Sequence, residues 1–466
     1  MHRLHSTRRI LALLLIVGGA SPISAQDYRA LGLEAFDARE FERAYEYLNA
    51  AYGENSGDAQ VGARFFVSGL FLMKTALAES EFGKVVEVGD WIGTVDHDQI
   101  PNARGHLAAL FCGRAYLSLD RPAEAITVLE QGRYDFPHPL LSATIAQAYY
   151  KNQDYSEAAT AFDEYLAHEE CQHEVEIYRL LALSRYRSGD VGSALKAVEE
   201  GLSRYAEDAV LIQLKDKFAK EYEVEGGLNA QTTWHFTVLF ENVEEQKELR
   251  QRVLDVLERV YSRVTRQFSF YPKSFTSVVI YSSRSDYNAG VAGAPTWSTA
   301  VYNGKIRIPL GETSMDESGL ETVLAHEFTH VVVDQISNGG SVPAWLNEGL
   351  AQIMEAKDMD WAEQRVKDGM KIQRRTGKGL LPLKSMGASF TGIRDSDSAR
   401  LAYGEAYLFT SYLIDKYAFY RMIQIMEDLA GGSSLDEAIK WRLGTDIPSL
   451  EEKWLESQAE TFRIPW

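Results

Sequence analysis

The chain has 466 residues, of which 45% are hydrophobic, so it is long enough for roughly two to four domains with buried cores. Lys and Arg number 48 and Asp and Glu number 67, which gives a formal net charge of −19 at pH 7. Because this charge repels phosphate backbones and anionic lipids, the composition argues against a nucleic-acid-binding protein.

The first 25 residues are predicted to be an export signal. Three arginines come first, an uninterrupted apolar run covers 10–20, and small residues precede the expected cleavage after Ala25. The run has 11 residues, too few to span a bilayer, and no Cys at the cleavage site could take a lipid anchor. The alternative is an amphipathic first helix of the fold. We expect a mature chain from Gln26, with net charge 45 − 67 = −22, that is soluble and periplasmic or secreted.

Beyond the signal, the sequence predicts neither a membrane span nor a disulfide framework. No later segment reaches the roughly 18 apolar residues that a transmembrane helix needs. The two cysteines, Cys112 and Cys171, are too few for a framework and lack metal-ligand spacing. We expect two separate thiols, although an exported compartment would permit a disulfide between them.

An internal period marks residues 26–222 as helical repeats. Similar residues recur 33 positions apart along the chain. Gly113, Tyr116, Ala125 and Leu129 correspond in this way to Ala146, Tyr149, Ala158 and Phe162. Similar spacing elsewhere predicts about five or six repeats, although 59–91 fits poorly. The pattern resembles the tetratricopeptide repeat, which implies antiparallel helix pairs stacked in an all-α solenoid. Its concave surface would hold a peptide or protein; the alternative is a spacer without a ligand.

The sequence changes character after residue 222, where we predict a linker at 223–233 and a second domain at 234–466. Runs rich in aromatic and β-branched residues indicate strands, and Asn303-Gly304 between two such runs indicates a hairpin. The predicted elements are strands at 234–240 and 275–281, a helix at about 243–267, a hairpin over 300–308, and helices from 317 onward. The predicted fold of this half is therefore α+β, a small sheet followed by a mostly helical part.

One helical stretch carries a candidate metal site. His326 and His330 are four residues apart, so both imidazoles can point at one ion, and Glu327 can reach a water on that ion. No histidine follows His330, so a third ligand should be a carboxylate. Glu348 supplies one, because the residues at 339–343 are typical of a helix end and a new helix start. Two His, one Glu and an open position form the catalytic zinc pattern.

These residues resemble a known group of enzymes. His-Glu-x-x-His, with 17 residues between His330 and Glu348 and Asn-Glu-Gly-Leu-Ala around that Glu, is similar to the gluzincin metallopeptidases. The resemblance is closest to the peptidase MA-like domains that often follow tetratricopeptide repeats, and it covers about 234–466. It implies a thermolysin-like zinc peptidase core with His326, His330 and Glu348 as Zn²⁺ ligands and Glu327 as general base.

A second donor must stabilise the oxyanion that forms during peptide hydrolysis. Thermolysin uses a late histidine, which this sequence lacks, whereas aminopeptidase N and its relatives use a tyrosine on a later helix. The segment 401–407 resembles the aminopeptidase segment without its Lys-Gly, so the resemblance assigns the role to Tyr403, with Tyr407 as the rival. The alternative is that both tyrosines are packing residues.

Other residues near the motif have weaker assignments. Asn347 is expected to be a hydrogen-bonding partner of the site, and Gln352 could support Glu348. Asp334, one turn after His330, either orients that imidazole or is a solvated helix acid.

The hairpin has a possible role in substrate binding. In the resembled clan an edge strand pairs with the extended substrate, and the candidate strand here is 302–308, with Tyr302, Ile306 and Ile308 as substrate-binding residues. The chain lacks the Gly-x-Met-Glu-Asn motif with which aminopeptidases hold a free amino end, which favours an endopeptidase.

The leading interpretation is an exported zinc metalloendopeptidase whose repeats dock a protein substrate or partner. Two alternatives stay open. One is a non-catalytic, repeat-based scaffold protein with a relic zinc site. The other is a zinc amidase that acts on cell-wall peptides.

Overall fold

The computed structural model describes residues 24–101, 104–168, 171, 173–240, 247–291, 300–302, 304–309, 316–383, 386–387, 390, 393 and 395–465. The predicted export signal lies outside these residues except for its last two positions. The chain divides into two compact units, Met1–Thr144 and Ile145–Trp466.

The first unit consists of helix pairs. Its helices are α1 (Ala25–Asp37), α2 (Phe41–Glu54), α3 (Ala59–Ala78), α4 (Phe82–Ile92), α5 (Gly105–Ser118), α6 (Pro122–Asp135) and the start of α7 (Pro139–Lys151), with one 3₁₀ turn at His97–Gln99. Small residues let the partners of a pair cross closely. A Cβ atom at Gly113 in α5 would lie 2.5 Å from Leu129 Cγ in α6, which explains the recurring glycine or alanine at that position.

Every helix pair is closed by the same kind of turn. In each pair, the turn that joins the two helices contains a residue with a positive φ angle. In chain order these residues are Arg39, Ser80, Asp120, Gln153 and Gly189. Asp120 and Gln153 are 33 positions apart, the offset seen in the sequence. Ser80 is 41 positions after Arg39, because α3 has 20 residues whereas α1 has 13. This longer helix explains why 59–91 fits the period poorly, and the repeat fold is confirmed with five pairs in the described part of the chain.

One helix departs from the expectation that no later segment is apolar enough to span a membrane. Among the described residues, α3 is long and apolar enough by length and composition alone. However, 56% of its most apolar window is buried inside the protein, as in a core helix of a soluble fold. Phe65, Phe66 and Met73 of this helix lie in the core of the first unit.

Both cysteines are free thiols in the structure. Cys112 is buried in α5, and burial raises the pKa of its thiol to about 12. Cys171 is half-buried in the second unit.

The second unit begins with the last repeat helices. They are the end of α7, α8 (Tyr155–Leu166), α9 (Val175–Arg187), α10 (Val191–Arg204) and α11 (Ala209–Glu225). The first strand starts at Asn229, so most of the predicted linker at 223–233 is helix and strand. The reason is packing: Val224 and Leu228 lie against the apolar residues of the sheet that follows.

Five strands form one mixed sheet. They are β1 (Asn229–Thr232), β2 (Phe236–Phe240), β3 (Thr276–Tyr281), β4 (Val301–Tyr302) and β5 (Ile306–Pro309), in the spatial order β1-β2-β3-β5-β4. The three central strands are parallel, and β1 and β4 are antiparallel to their neighbours. The predicted hairpin is present, because Val301 pairs with Arg307 and Tyr302 with Ile306. Asn303 lies outside the described residues.

The position of β5 corrects the predicted substrate-binding strand. Because β5 pairs with both β3 and β4, its backbone is not free to pair with a substrate. Ile306 and Ile308 are fully buried in the hydrophobic core, so they cannot contact a substrate either. Within the described sheet the edge strand on this side is β4, and only Tyr302 of the three predicted residues lies on it.

Both faces of β5 are buried. Ile306 and Ile308 face the core shared with the following helices, whereas Lys305 and Arg307 point to the opposite face and are equally buried. There Lys305 Nζ lies 3.1 Å from Glu225 Oε2, and Arg307 Nε lies 3.0 Å from Glu225 Oε1. Arg307 Nη2 lies 2.6 Å from Glu221 Oε2. Thus α11, the last repeat helix, covers one face of the sheet through a buried cluster of two acidic and two basic side chains.

Helices make up the rest of the second unit. They are α12 (Lys247–Phe268), α13 (Arg284–Gly290), α14 (Glu317–Ile336), α15 (Ala344–Met354), α16 (Asp360–Thr376), α17 (Ser396–Tyr417), α18 (Phe419–Ala430), α19 (Leu435–Leu443) and α20 (Ile447–Phe462). α15 packs against both α14 and α17. A Cβ atom at Gly349 would lie 2.5 Å from the Ala406 carbonyl oxygen, so only glycine permits this approach of α15 to α17. The predicted fold class, a helical solenoid followed by an α+β part, is confirmed.

Candidate metal centre

Two neighbouring helices carry the predicted site. α14 starts after Asp316, whose side chain accepts a hydrogen bond from the Gly319 amide, and it ends in a turn where Gly339 has a φ of 71°. Pro343 then stands at the N-cap of α15, one position before the first helical turn. The turn reverses the chain direction, so Glu348, the fifth residue of α15, comes beside α14, as the sequence predicts.

His326, His330 and Glu348 converge. Glu348 Oε2 lies 3.4 Å from His326 Nε2 and 3.6 Å from His330 Nε2, and one ligand atom of each residue lies within 4.8 Å of the others. Two ligand atoms bound tetrahedrally to zinc at about 2.05 Å are about 3.4 Å apart. The two separations between Glu348 and the histidines therefore suit a bound metal ion, and the nitrogen and oxygen donors are of the types that hold one.

Two carboxylate oxygens at the site make no hydrogen bond within the described part of the chain. Glu327 Oε2 and Glu348 Oε2 are buried, and neither has a hydrogen-bond partner among the described residues. An unpaired buried carboxylate oxygen is costly unless a cation or a water molecule satisfies it. These two oxygens fit a bound cation with a water beside it.

Hydrogen bonds orient both imidazoles. His330 Nδ1 lies 2.8 Å from Asn347 Oδ1, so the structure places Asn347 as a hydrogen-bonding partner of the site. His326 Nδ1 lies 2.8 Å from Glu355 Oε1, a contact that the sequence analysis missed. Both bonds leave Nε2 free to face the Glu348 carboxylate. Glu355 is seven residues after Glu348, two helical turns, and this spacing was the signal available in the sequence.

Nearby charges and burial shift the pKa values of His326 and Glu327. Burial acts to lower the pKa of His326, but the nearby carboxylates of Glu348 and Glu355 raise it well above its ordinary value. A metal ion must therefore displace a proton, so metal binding is coupled to proton release. Burial also raises the pKa of Glu327, against the opposing charges of His326 and His330. A carboxylate with a raised pKa is a better proton acceptor.

The two candidate tyrosines have different surroundings. Burial and then the charges of Glu348, Glu327 and Glu355 raise the pKa of Tyr403, so its phenol is near the carboxylates of the site. The Phe390 ring packs edge-to-face on it, with centroids 5.2 Å apart.

Tyr407 instead faces another group of residues. Its pKa is raised by burial and by Glu363, Asp415 and Asp358, which lie outside the site. The environment thus favours Tyr403 over Tyr407 for a role at the metal centre.

Gln352 has a different contact from the one predicted. Its amide nitrogen donates to the backbone oxygen of Tyr403 at 3.0 Å, so it ties α15 to α17. It does not buttress Glu348 through that nitrogen. The side chain is 3% exposed, so this bond is shielded from water.

Asp334 has neither of the two roles considered from the sequence. Its Oδ2 atom accepts hydrogen bonds from Tyr302 Oη at 2.8 Å and from Arg187 at 2.9 Å. His330 Nδ1 is bonded to Asn347 instead, so Asp334 does not orient that imidazole. Its side chain is 27% exposed and ion-paired, so it is not a solvated acid.

One comparison with known proteins covers this part of the chain. Residues 261–459 match the family model of the Peptidase MA superfamily, a segment that contains all the converging residues. No curated protein matches the chain. Its second half thus contains a peptidase MA superfamily domain, preceded by tetratricopeptide-like repeats.

Several solved structures are similar to the chain. YrrB, a TPR protein with an unusual peptide-binding site, has 12% identity over 41% of this chain and 92% of its own, with a TM-score of 0.32. TTC0263, a thermophilic TPR protein from Thermus thermophilus, has 18% identity; the match covers 42% of this chain and 97% of TTC0263, with a TM-score of 0.24. MamA from Desulfovibrio magneticus RS-1 has 15% identity; the match covers 40% of this chain and 97% of the MamA chain, with a TM-score of 0.28.

Proposed function

We propose that this chain is an exported, zinc-dependent metalloendopeptidase and that its peptidase MA domain carries the activity. The observation that supports this most directly is the convergence of His326, His330 and Glu348, at separations that suit a tetrahedral ion, beside the buried Glu327 carboxylate. A zinc ion held by these three side chains would supply Lewis acidity, which lowers the pKa of water towards about 7 and polarises a carbonyl group.

In this proposal Glu327 moves the protons. Its buried Oε2 atom, which has no partner among the described residues, accepts a proton from the water that attacks the peptide carbonyl. The same oxygen then gives the proton to the leaving amine nitrogen. Tyr403 donates a hydrogen bond from its hydroxyl group to the developing oxyanion, and its raised pKa means that the phenol keeps its proton.

The edge strand β4 is the proposed substrate strand. It lies against α14, the helix that carries both histidines, and in the described sheet only one of its edges is occupied. An extended peptide that adds to this edge would be bound mainly through its backbone, which suits cleavage within chains of varied sequence. The absence of the Gly-x-Met-Glu-Asn motif supports an endopeptidase rather than an aminopeptidase.

The repeats are proposed to dock a protein substrate or partner. Solenoids of stacked helix pairs usually bind a peptide or protein on their concave face. Export to the periplasm or the medium is proposed from the basic and apolar residues of the first 25 positions.

A peptide mixture tests the activity. The zinc-loaded chain from Gln26, its Glu327→Gln variant and a control Glu321→Gln variant are incubated with diverse peptides, and the products are read by mass spectrometry. Glu321 is on the same helix but forms ion pairs with Arg259 and Arg263 outside the site. We expect cleavage by the parent and the control, loss of cleavage in Glu327→Gln, and equal zinc content in all three.

Three results would contradict the proposal. Cleavage by Glu327→Gln at the parental rate would exclude Glu327 as the base. No cleavage by the parent with zinc bound would favour the scaffold alternative, and cleavage of peptidoglycan fragments alone would favour the amidase.

A further inference from the structure

The last repeat helices directly contact α14, the helix that carries His326 and His330. Arg187 is the final residue of α9, and one of its terminal amines lies 2.9 Å from Asp334 Oδ2 on α14. Asp334 is one helical turn after His330. A second contact lies nearby, because the Gln153 amide in the turn before α8 donates to the Gln335 carbonyl at 2.9 Å. The repeats thus hold the C-terminal part of α14 at two points.

The same Asp334 oxygen also holds the edge strand. Tyr302 Oη donates to Asp334 Oδ2 at 2.8 Å, so one carboxylate oxygen joins the repeat helix α9, helix α14 and strand β4. A charge-assisted bond of this kind is stronger than a neutral one. Because β4 has only two residues and one strand partner in the described sheet, its position depends strongly on such side-chain contacts.

We propose that Arg187 is a positioning residue, which acts through Asp334 to hold edge strand β4 against the helix that carries His330. This inference rests on the proposed function, in which β4 pairs with the substrate backbone. It assigns to the last repeats a role in the peptidase itself, in addition to docking: they set the distance between the substrate strand and the metal centre.

Arg187→Met tests the inference, and Arg185→Met is the matched control. Arg185 is on the same helix and pairs with Asp163 at 2.7 Å, within the repeats. The full zinc-loaded chain is used. We expect Arg187→Met to raise KM for an eight-residue peptide about tenfold with little change in kcat, because substrate alignment is lost while the metal centre stays intact. Arg187→Lys, which keeps the charge, should restore most of the affinity, and zinc content should not change.

Hydrogen exchange gives a readout that does not depend on activity. Peptides covering 300–309 should exchange about tenfold faster in Arg187→Met and in Tyr302→Phe than in the parent or in Arg185→Met. Unchanged exchange and unchanged KM in Arg187→Met would overturn the inference. A parent chain that cleaves nothing would instead refute the proposed function, and a faster exchange in Arg187→Met would then still establish the contact that positions β4.

Discussion

The buried cluster between α11 and β5 leads to a quantitative prediction about stability. Lys305 and Arg307 are 0% exposed, and Glu221 and Glu225 are 4% and 5% exposed, so two cations and two anions lie together away from bulk solvent. Glu225 accepts bonds from both cations and from Tyr281 Oη at 2.8 Å. Glu225→Gln removes one anion and leaves one buried positive charge unbalanced.

The expected cost follows from the burial of the cluster. Removing one partner of a buried ion pair destabilises a protein by about 3–5 kcal/mol, because the remaining charge is neither solvated nor paired. Glu221 still contacts Arg307, so we expect about 3 kcal/mol, the lower end of that range. The matched control is Glu223→Gln, an exposed position on the same helix, which should change stability by less than about 0.5 kcal/mol.

The assay is urea unfolding of the full chain, followed by tryptophan fluorescence and by circular dichroism. The free energy of unfolding is compared between the parent and the two variants for the transition that contains the second unit. A loss below about 1 kcal/mol for Glu225→Gln would refute the view that α11 and the sheet form one charge-balanced structure. For the same reason, a fragment of 234–466 should fold poorly, since it lacks both glutamates but keeps Lys305 and Arg307.

Further predictions concern the metal centre and pH. Glu355→Gln should weaken zinc binding roughly 10- to 100-fold in chelator competition, because it loosens the His326 imidazole; unchanged affinity would exclude this role. Tyr403→Phe should lower kcat about 100-fold with zinc retained, whereas Tyr407→Phe should have less than about twofold effect; the reverse order would make Tyr407 the oxyanion donor. Burial acts to raise the pKa of Glu225, but Arg307 and Lys305 lower it below the ordinary value of 4.5. Its stabilising effect is therefore present above pH 4.5 and lost as the pH falls through the lowered pKa. Glu225→Gln has no such contribution to lose, so acid unfolding monitored by circular dichroism should begin at lower pH in Glu225→Gln than in Glu223→Gln if both start from equal stability in added osmolyte; coincident acid transitions would contradict this.

The local chemistry of the site could be predicted from the sequence alone. The interval of four between His326 and His330 is set by helix geometry, and a helix end followed by a helix start brings Glu348 back beside them. The repeat was visible for the same reason, because small residues must recur wherever two helices cross closely, as at Gly113. Such patterns are local, and the covalent chain determines them over a few turns.

Other features depended on which surfaces meet. The alternation of Lys305, Ile306, Arg307 and Ile308 indicates a strand with one polar face, which in an isolated sheet would face water. Only the tertiary structure shows that α11 covers this face and supplies the opposite charges. It also places β5 inside the sheet, because strand order depends on long-range pairing that the pattern of a single strand does not contain.

The partners of single polar side chains were also decided by the tertiary structure. Asp334 is placed on the helix by its spacing, but its bonds to Arg187 and Tyr302 join segments 147 and 32 residues away. Sequence spacing predicts which residues share a helix face, and it carries no information on which distant segment packs there. The convergence of His326, His330 and Glu348 could therefore be predicted from the motif, whereas the contacts that hold the edge strand and the last repeats beside them could be found only in the folded chain.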